Sequence, residues 1–238
     1  MRWRVSRIKK MKKKVKTFVL GDLHGGHKAL VQVLKRAKFD YNKDRLISLG
    51  DVADGWPDVA ECFEELLKIK NLVMVRGNHD NWLLDYLRFE ETPTIWTSQG
   101  GQNSFDSYQK HPELKEKHKK FLMSTPFYYV DEANNLYVHG GVDPMRPIVK
   151  QSPDDLMWDR SLWHMAQTQE SIYVPGFNKV FVGHTSIWKK SKIPLTSGNV
   201  TFVDTGGGWE GKLSLVGVDS EEVFQSDLLG DLYPEGHG

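Results

Sequence analysis

The chain has 238 residues, 39% of them hydrophobic, enough for one large domain with a substantial core. Its net charge of +1 hides an uneven distribution. Residues 1–16 carry nine basic side chains and no acid, which leaves 23 basic against 31 acidic residues, a net of −8, over residues 17–238. An acidic body argues against a broad nucleic-acid-binding surface. Residues 2–16 lack the apolar run of a signal peptide, and no stretch nears the roughly 20 apolar residues that cross a bilayer. Cys62 is the only cysteine, which excludes an intrachain disulfide and a thiolate metal cluster. The expectation is a cytoplasmic protein with no membrane partner.

In chain order, residues 1–15 read as a flexible basic tail, with Met11 a natural first residue. A buried strand at 16–20 ends at Gly21, and apolar residues at Leu30, Val31 and Leu34 predict a helix over 28–37. A second strand at 45–49 ends at Gly50, and a helix at 59–69 follows Pro57. A third strand at 72–75 leads through Arg76 and Gly77 into a helix to residue 87. This β-α-β-α-β-α order, with polar motifs at the carboxyl ends of the strands, predicts an α/β fold with its ligands just beyond those ends. Residues 89–120 break the rhythm and read as a partly helical excursion lying over the site. Strands at 127–130 and 136–139, joined by the turn residues DEANN, then strands at 179–182, 200–204 and 213–218, complete the second half. The domain is expected over 16–220, and a C-terminal tail over 221–238.

Five strand ends carry residues of metal-ligand type: Asp22 and His24 in GDLHG, Asp51 in GD, Asn78 and His79 in GNHD, His139 in VHGG, and His184 in VGHT. Singly, an aspartate after a strand is a turn former or helix cap. Five in order, each flanked by glycine at a strand end, point to a metal centre, because glycine lets an ion or phosphate approach the main chain. Asp22 and His24, two residues apart, can point the same way from extended chain. A carboxylate beside an imidazole suits Mn, Fe or Zn and disfavours Ca. Two such ions about 3.5–4 Å apart need a bridging carboxylate, for which Asp51 is the natural choice.

With GDLHGG, GDVAD, RGNHD, VHGG and GHT in this order, the sequence resembles the calcineurin-like metallophosphoesterases over residues 16–219. It is most similar to their small bacterial and phage-type phosphoprotein phosphatases. It also resembles the symmetrical dinucleoside tetraphosphate hydrolases, through GNHD and the late Val203–Gly207 segment. The resemblance implies an α/β/β/α sandwich with a dinuclear site at the carboxyl ends of the strands. Asp22, His24 and Asp51 would hold one divalent ion, and Asp51, Asn78, His139 and His184 the other, with manganese expected and iron or zinc possible. His79 would protonate the leaving group, paired with Asp54, while Arg76 grips the phosphate and a metal-bridging hydroxide attacks phosphorus. Imidazole is indeed the side chain best suited to giving a proton near neutral pH, and a planar guanidinium matches phosphate oxygens. The implied substrates are phosphomonoesters, above all phosphoserine and phosphothreonine in proteins, with a dinucleoside polyphosphate or other nucleotide as the alternative.

One motif departs from the family. Its phosphatases usually read Gly-Asp-x-Val-Asp-Arg-Gly, whereas here Gly55 and Trp56 follow Asp54, so one phosphate-gripping arginine is missing. Arg160, in LMWDR, sits where related enzymes carry a further site arginine and is expected to share the task with Arg76. Trp56 is a candidate to face the leaving group, and the remaining tryptophans are expected in packing roles. His27, His111, His118, His164 and His237 are expected at the surface, with His27 the nearest of them to a motif.

Overall fold

The computed structural model describes residues 15–236. The basic head up to residue 14 and the two final residues, His237 among them, lie outside the described residues, so the tail reading of residues 1–14 and the surface reading of His237 fall there.

Two five-stranded sheets stack face to face. The first runs in the order β10-β9-β1-β2-β3 and the second β4-β5-β6-β8-β7. In the first sheet β1 (Thr17–Leu20), β2 (Arg45–Ser48) and β3 (Asn71–Met74) are parallel, and β9 (Ser214–Gly217) and β10 (Val223–Gln225) form an antiparallel edge. In the second, β4 (Tyr128–Val130) makes the expected hairpin with β5 (Leu136–Val138). Strands β5, β6 (Val180–Val182) and β8 (Val200–Phe202) run parallel, and β7 (Leu195–Ser197) caps the edge.

The layering follows from alternation along each strand. Val19, Ile47, Tyr137, Phe181, Val203 and Val216 point between the sheets and form one core. Their neighbours Phe18, Leu20 and Leu46 point outward to a helix layer, and Leu136, Val138, Val180 and Val182 do the same on the opposite side. Burying each such side chain contributes about 1.5–3 kcal/mol. The result is the α/β/β/α sandwich expected from the motifs.

The first helix layer holds α1 (His27–Arg36), α2 (Val59–Leu66) and α3 (Asn78–Phe89). The excursion belongs to the same layer. It contains α4 (Thr94–Trp96), an irregular turn at Thr97–Gly101, α5 (Gln102–Lys110) and α6 (Lys115–Ser124). Trp96, Tyr108 and Leu122 are fully buried in that core, so this part of the segment is built into the helix layer. His118, expected at the surface, is buried as well: Tyr108 and Glu64 hold its two ring nitrogens at 2.8 Å each. Two further helices, α7 (Pro153–Trp158) and α8 (Ser161–Thr168), cover the second sheet.

The fold also continues past residue 220. Strand β10 extends the first sheet, and α9 (Leu229–Leu232) delivers Tyr233 to the core at 1% exposure. A three-residue strand and one helical turn are too short to leave a periodic signal. Among the described residues no helix is long and apolar enough to cross a membrane.

Candidate active site

Every motif loop leaves a parallel strand at the same end of the sandwich, and hydrogen bonds lace the loops together. The amides of Leu23 and His24 donate to Asp51 O at 3.0 and 2.8 Å, and the His184 amide donates to Asp22 Oδ2 at 2.8 Å. Asp80 makes the tightest clamp. Its buried carboxylate accepts from the amides of Asp51 (2.8 Å), Val52 (2.9 Å), Ala53 (3.2 Å) and Gly77 (3.0 Å), fixing the second motif against the third. His24, Asp51, Asp54 and His184 all adopt left-handed backbone, with φ between 44° and 68°. Such residues cost on the order of 1–3 kcal/mol each and persist only where surrounding bonds over-determine them.

The side chains then converge on Asp51. His139 Nδ1 lies 2.8 Å from Leu49 O and His24 Nδ1 lies 3.1 Å from Ala53 O. A carbonyl only accepts, so both rings carry a proton on Nδ1 and turn Nε2 inward. His139 Nε2 faces Asp51 Oδ2 at 3.2 Å and Asn78 Oδ1 at 3.0 Å, and His24 Nε2 faces Asp51 Oδ2 at 3.6 Å. Acceptors so close need a proton or a cation between them, and a cation serves all of them at once. Two further acceptors, Asp22 Oδ1 and His184 Nε2, are buried without a hydrogen-bond partner. Gly183 brings its backbone so near Asp22 Oδ1 that a Cβ would overlap that oxygen. Asp51 joins two donor groups, one with His24 and His79 and the other with His139 and His184. The chemistry of this donor set, hard carboxylates with imidazole nitrogens, fits a pair of divalent ions sharing one carboxylate.

Electrostatics agree. Burial, then the charges of Asp204 and Asp51, push the Asp22 carboxyl well above its usual range, so the site holds more negative charge than it can settle alone. Burial and neighbouring imidazoles hold His24 and His184 down at about 3, the neutral form that ligates metal. Burial opposes ionisation of Asp51, but His139, His79 and His24 together hold its carboxyl below the usual range.

His79 differs from the other imidazoles. Its Nδ1 lies 2.7 Å from Asp54 Oδ2, and its amide donates to Asp51 Oδ1 at 3.0 Å. Burial pulls its pKa down, but the charge of Asp51 and the bond and charge of Asp54 outweigh this and raise it to about 9. Asp54 is itself fully buried, which pushes its carboxyl up against the bonds it accepts. Besides His79 it accepts from Trp96 Nε1, at 2.9 Å to each oxygen, and from Ser104 Oγ at 2.6 Å. The excursion therefore holds the aspartate that orients His79. Trp96 and Ser104 lie 42 and 50 residues beyond Asp54, a separation that no local pattern reports.

Two expected substrate contacts fall elsewhere. Arg76 turns away from the donor cluster. Its guanidinium donates to Leu122 O (2.5 Å), Thr125 Oγ1 (3.1 Å) and Thr125 O (3.3 Å), and lies 4.9 Å from the Phe127 ring centre. It satisfies the carbonyls at the end of α6, and its remaining bond goes to Asn81 Oδ1 at 3.4 Å. Trp56 is 3% exposed, donates Nε1 to Gly207 O at 2.8 Å and stacks on Tyr233 at 5.2 Å. It packs the C-terminal segment against the metal loop and does not face a leaving group. Arg160 is exposed at the start of α8, and its charge helps depress His184. His27 pairs with Glu65 at 3.7 Å, outside the donor cluster.

Gly55 has a backbone reason for not being arginine. Its φ is +79°, in the left-handed region, and its amide donates to Gly100 O at 3.1 Å. The two glycines approach so closely that a Cβ on Gly100 would lie 2.6 Å from Gly55 N. Two acids also belong to the site without having been singled out for a role, Asp80 and Asp204. Asp80 sits at the third position of α3, where an acid reaching back to the cap amide is a known signal. Burial, with the Asp51 charge adding to it, lifts the Asp204 carboxyl to about 6.

Loops of two stacked sheets meeting around a shared carboxylate, with an imidazole–carboxylate pair alongside, define a metal-dependent hydrolase centre. Residues 15–202 match the calcineurin-like phosphoesterase family, and the chain belongs to it. It is thus an enzyme of the metallophosphoesterases, a family that uses divalent metal ions. It is 28% identical over 205 residues to the serine/threonine-protein phosphatase 1 of Salmonella typhimurium, covering 83% of this chain and 89% of the relative. It is 26% identical to the symmetrical bis(5'-nucleosyl)-tetraphosphatase of Neisseria meningitidis, covering 90% of this chain and 96% of the relative. Among solved structures, the metallophosphoesterase of Sphaerobacter thermophilus superposes with a TM-score of 0.58 at 19% identity over 94% of both chains, a likeness of fold.

Proposed function

We propose that this chain hydrolyses phosphomonoesters, with phosphoserine and phosphothreonine side chains as its substrates and two manganese ions as its cofactors. The observation that carries the reading is the buried Asp54–His79 pair, 2.7 Å apart, set beside the two donor groups that share Asp51. Asp22, His24 and Asp51 would hold one ion, and Asp51, Asn78, His139 and His184 the other. Ions held there would acidify a water molecule and offset the charge of the phosphoryl oxygens.

The chain's own residues do the rest. Asp54 accepts from Nδ1 of His79, which leaves Nε2 as the proton donor to the leaving-group oxygen. Trp96 and Ser104 keep Asp54 in place. His79 lies close enough to the first donor group to be a ligand by distance, but its bond to Asp54 favours the proton-donor role. Arg160 supplies the guanidinium for the phosphoryl oxygens. The Salmonella phosphatase, matched over most of both chains, supports the phosphoprotein reading. The alternative is a dinucleoside polyphosphate. It is favoured by the lack of a guanidinium at Gly55 and by the similarity to the Neisseria tetraphosphatase.

The test is His79→Asn in metal-loaded protein. Both ions should remain, while kcat for a phosphoseryl peptide falls by about 10²–10⁴-fold and that for p-nitrophenyl phosphate, a better leaving group, falls less. Loss of metal, or equal slowing of both substrates, would make His79 a ligand or a phosphate anchor instead. A protein that cleaves a dinucleoside tetraphosphate and leaves phosphopeptides intact would establish the alternative.

A further inference from the structure

Four tryptophans near the site use their indole N–H groups in two ways. Trp56 and Trp96 are buried, and their Nε1 atoms are bonded to Gly207 O and to Asp54. Trp82 and Trp158 stand at the rim of the donor cluster, and among the described residues neither N–H has a hydrogen-bond partner. Trp82 lies one turn beyond His79 on α3, its ring 5.0 Å from the imidazole at 81°. Trp158 ends α7, meets Trp82 at 5.3 Å and 65°, and meets His184 at 5.7 Å and 88°. The two indoles thus bridge the proton donor and a ligand of the second donor group, and Trp158 remains 39% exposed.

We propose that Trp82 and Trp158 form a leaving-group subsite for a planar aromatic ring bonded directly to the phosphorylated oxygen, the chemistry of a phosphotyrosyl side chain. The inference rests on the phosphomonoesterase reading and narrows its substrate class. A leaving oxygen must come within about 2.6–3.2 Å of His79 Nε2 to take its proton. The first ring beyond that oxygen therefore falls within reach of an indole only 5.0 Å from the imidazole. An alkyl chain gains little there, whereas an aromatic ring gains an edge-to-face or offset contact. A nucleobase, held off by its ribose, would pass beyond Trp82. The rest of a peptide leaving group has room beside Trp82, in a cavity of about 230 Å³ lined by Asp85, Phe89, Glu91 and Pro93. With Arg76 turned away and glycine at position 55, a larger share of substrate selection falls on the leaving group.

The experiment compares ring-bearing and ring-free ligands in metal-loaded wild type, Trp158→Ala and Trp82→Phe, with metal content and melting temperature recorded. Calorimetry gives the affinities of benzylphosphonate and methylphosphonate, neither of which is hydrolysed. The wild type should prefer the benzyl compound by about 3–10-fold, the worth of one aromatic contact, and Trp158→Ala should erase that preference. The ratio of kcat/KM for phosphotyrosyl over phosphoseryl peptides of one sequence should fall by a similar factor. Trp82→Phe, which keeps a ring, should retain most of both ratios. A phosphonate preference that is absent from the wild type or intact in Trp158→Ala overturns the subsite. So does weakening of adenosine 5'-monophosphate binding alone, which would place a nucleobase on these rings. If neither peptide is cleaved, the phosphomonoesterase reading fails, while the phosphonate ratio still judges the subsite separately.

Discussion

Replacing Trp96 by phenylalanine should separate the work of its indole nitrogen from that of its ring. Trp96 Nε1 lies 2.9 Å from both oxygens of Asp54, a fully buried carboxylate whose other side-chain donors are His79 and Ser104. Phenylalanine keeps most of the packing against Tyr86, 5.3 Å away, and removes one charge-assisted bond of three. Hydrogen bonds to charged groups are worth about 1.5–3 kcal/mol, and the pyrrole-sized gap adds about 1 kcal/mol. The domain should therefore lose about 2.5–4 kcal/mol, or roughly 5–16 °C of melting temperature at about 2–4 °C per kcal/mol. Chemistry should suffer in a particular way. Asp54 with fewer donors is more basic and draws harder on the Nδ1 proton of His79, which makes the ring a weaker acid at Nε2, so up to about tenfold is lost in kcat where the leaving group needs the Nε2 proton. Differential scanning calorimetry and turnover on phosphoseryl peptide and p-nitrophenyl phosphate give both readouts. If Trp96→Phe lowers the melting temperature but slows both substrates equally, Trp96 only packs. If neither readout moves, the bond to Asp54 carries no weight.

Three other outcomes are expected. Asp51→Asn should lose both ions by metal analysis and Asp22→Asn chiefly one, with chelator abolishing turnover and manganese restoring it best; retention of both ions in Asp51→Asn would remove it as the bridge. A chain ending at residue 227 should melt well below the full chain, because Tyr233 stacks on Trp56 and its hydroxyl bonds Asp58 at 2.7 Å; losing a buried aromatic costs about 3–5 kcal/mol, and an unchanged melt would make the segment dispensable. His79 carries its proton up to about pH 9, so turnover that needs this proton should fall as pH rises through its pKa. Ions on Asp51 move that limb lower, and Asp54→Asn, which removes a raising bond and charge, should move it lower still; a limb that stays fixed would mean another group sets it.

The parts of the centre legible in the sequence are those where one strand end carries its own polar side chain into the cluster. Asp22, Asp51, Asn78, His139 and His184 each follow an apolar run within a residue or two, and their convergence follows from parallel strands ending at one side. Roles that depend on where a long side chain turns were not legible. Arg76 sits beside the cluster in sequence, yet the carbonyls of α6 claim its guanidinium, and Trp56 is claimed by Tyr233 from the far end of the chain. His118 looked like a surface residue in a charged segment, because Tyr108 and Glu64, its partners, lie 10 and 54 residues away. For the same reason Trp96 and Ser104 could be placed in the excursion but not under Asp54.

The contact between Gly55 and Gly100 sets a condition on remodelling the enzyme. An engineer wishing to give this centre a second guanidinium would write arginine at position 55, but that residue stands at φ +79° against the irregular turn at Thr97–Gly101. A left-handed non-glycine residue costs about 1–2 kcal/mol before any clash, and moving the turn would drag Trp96 and Ser104 away from Asp54. Arginine at 55 would therefore carry that strain along the present route of the excursion, or shift the turn and with it the donors of Asp54. A graft that exchanged residues 94–104 together with position 55 would avoid the strain but have to supply a new pair of donors for Asp54.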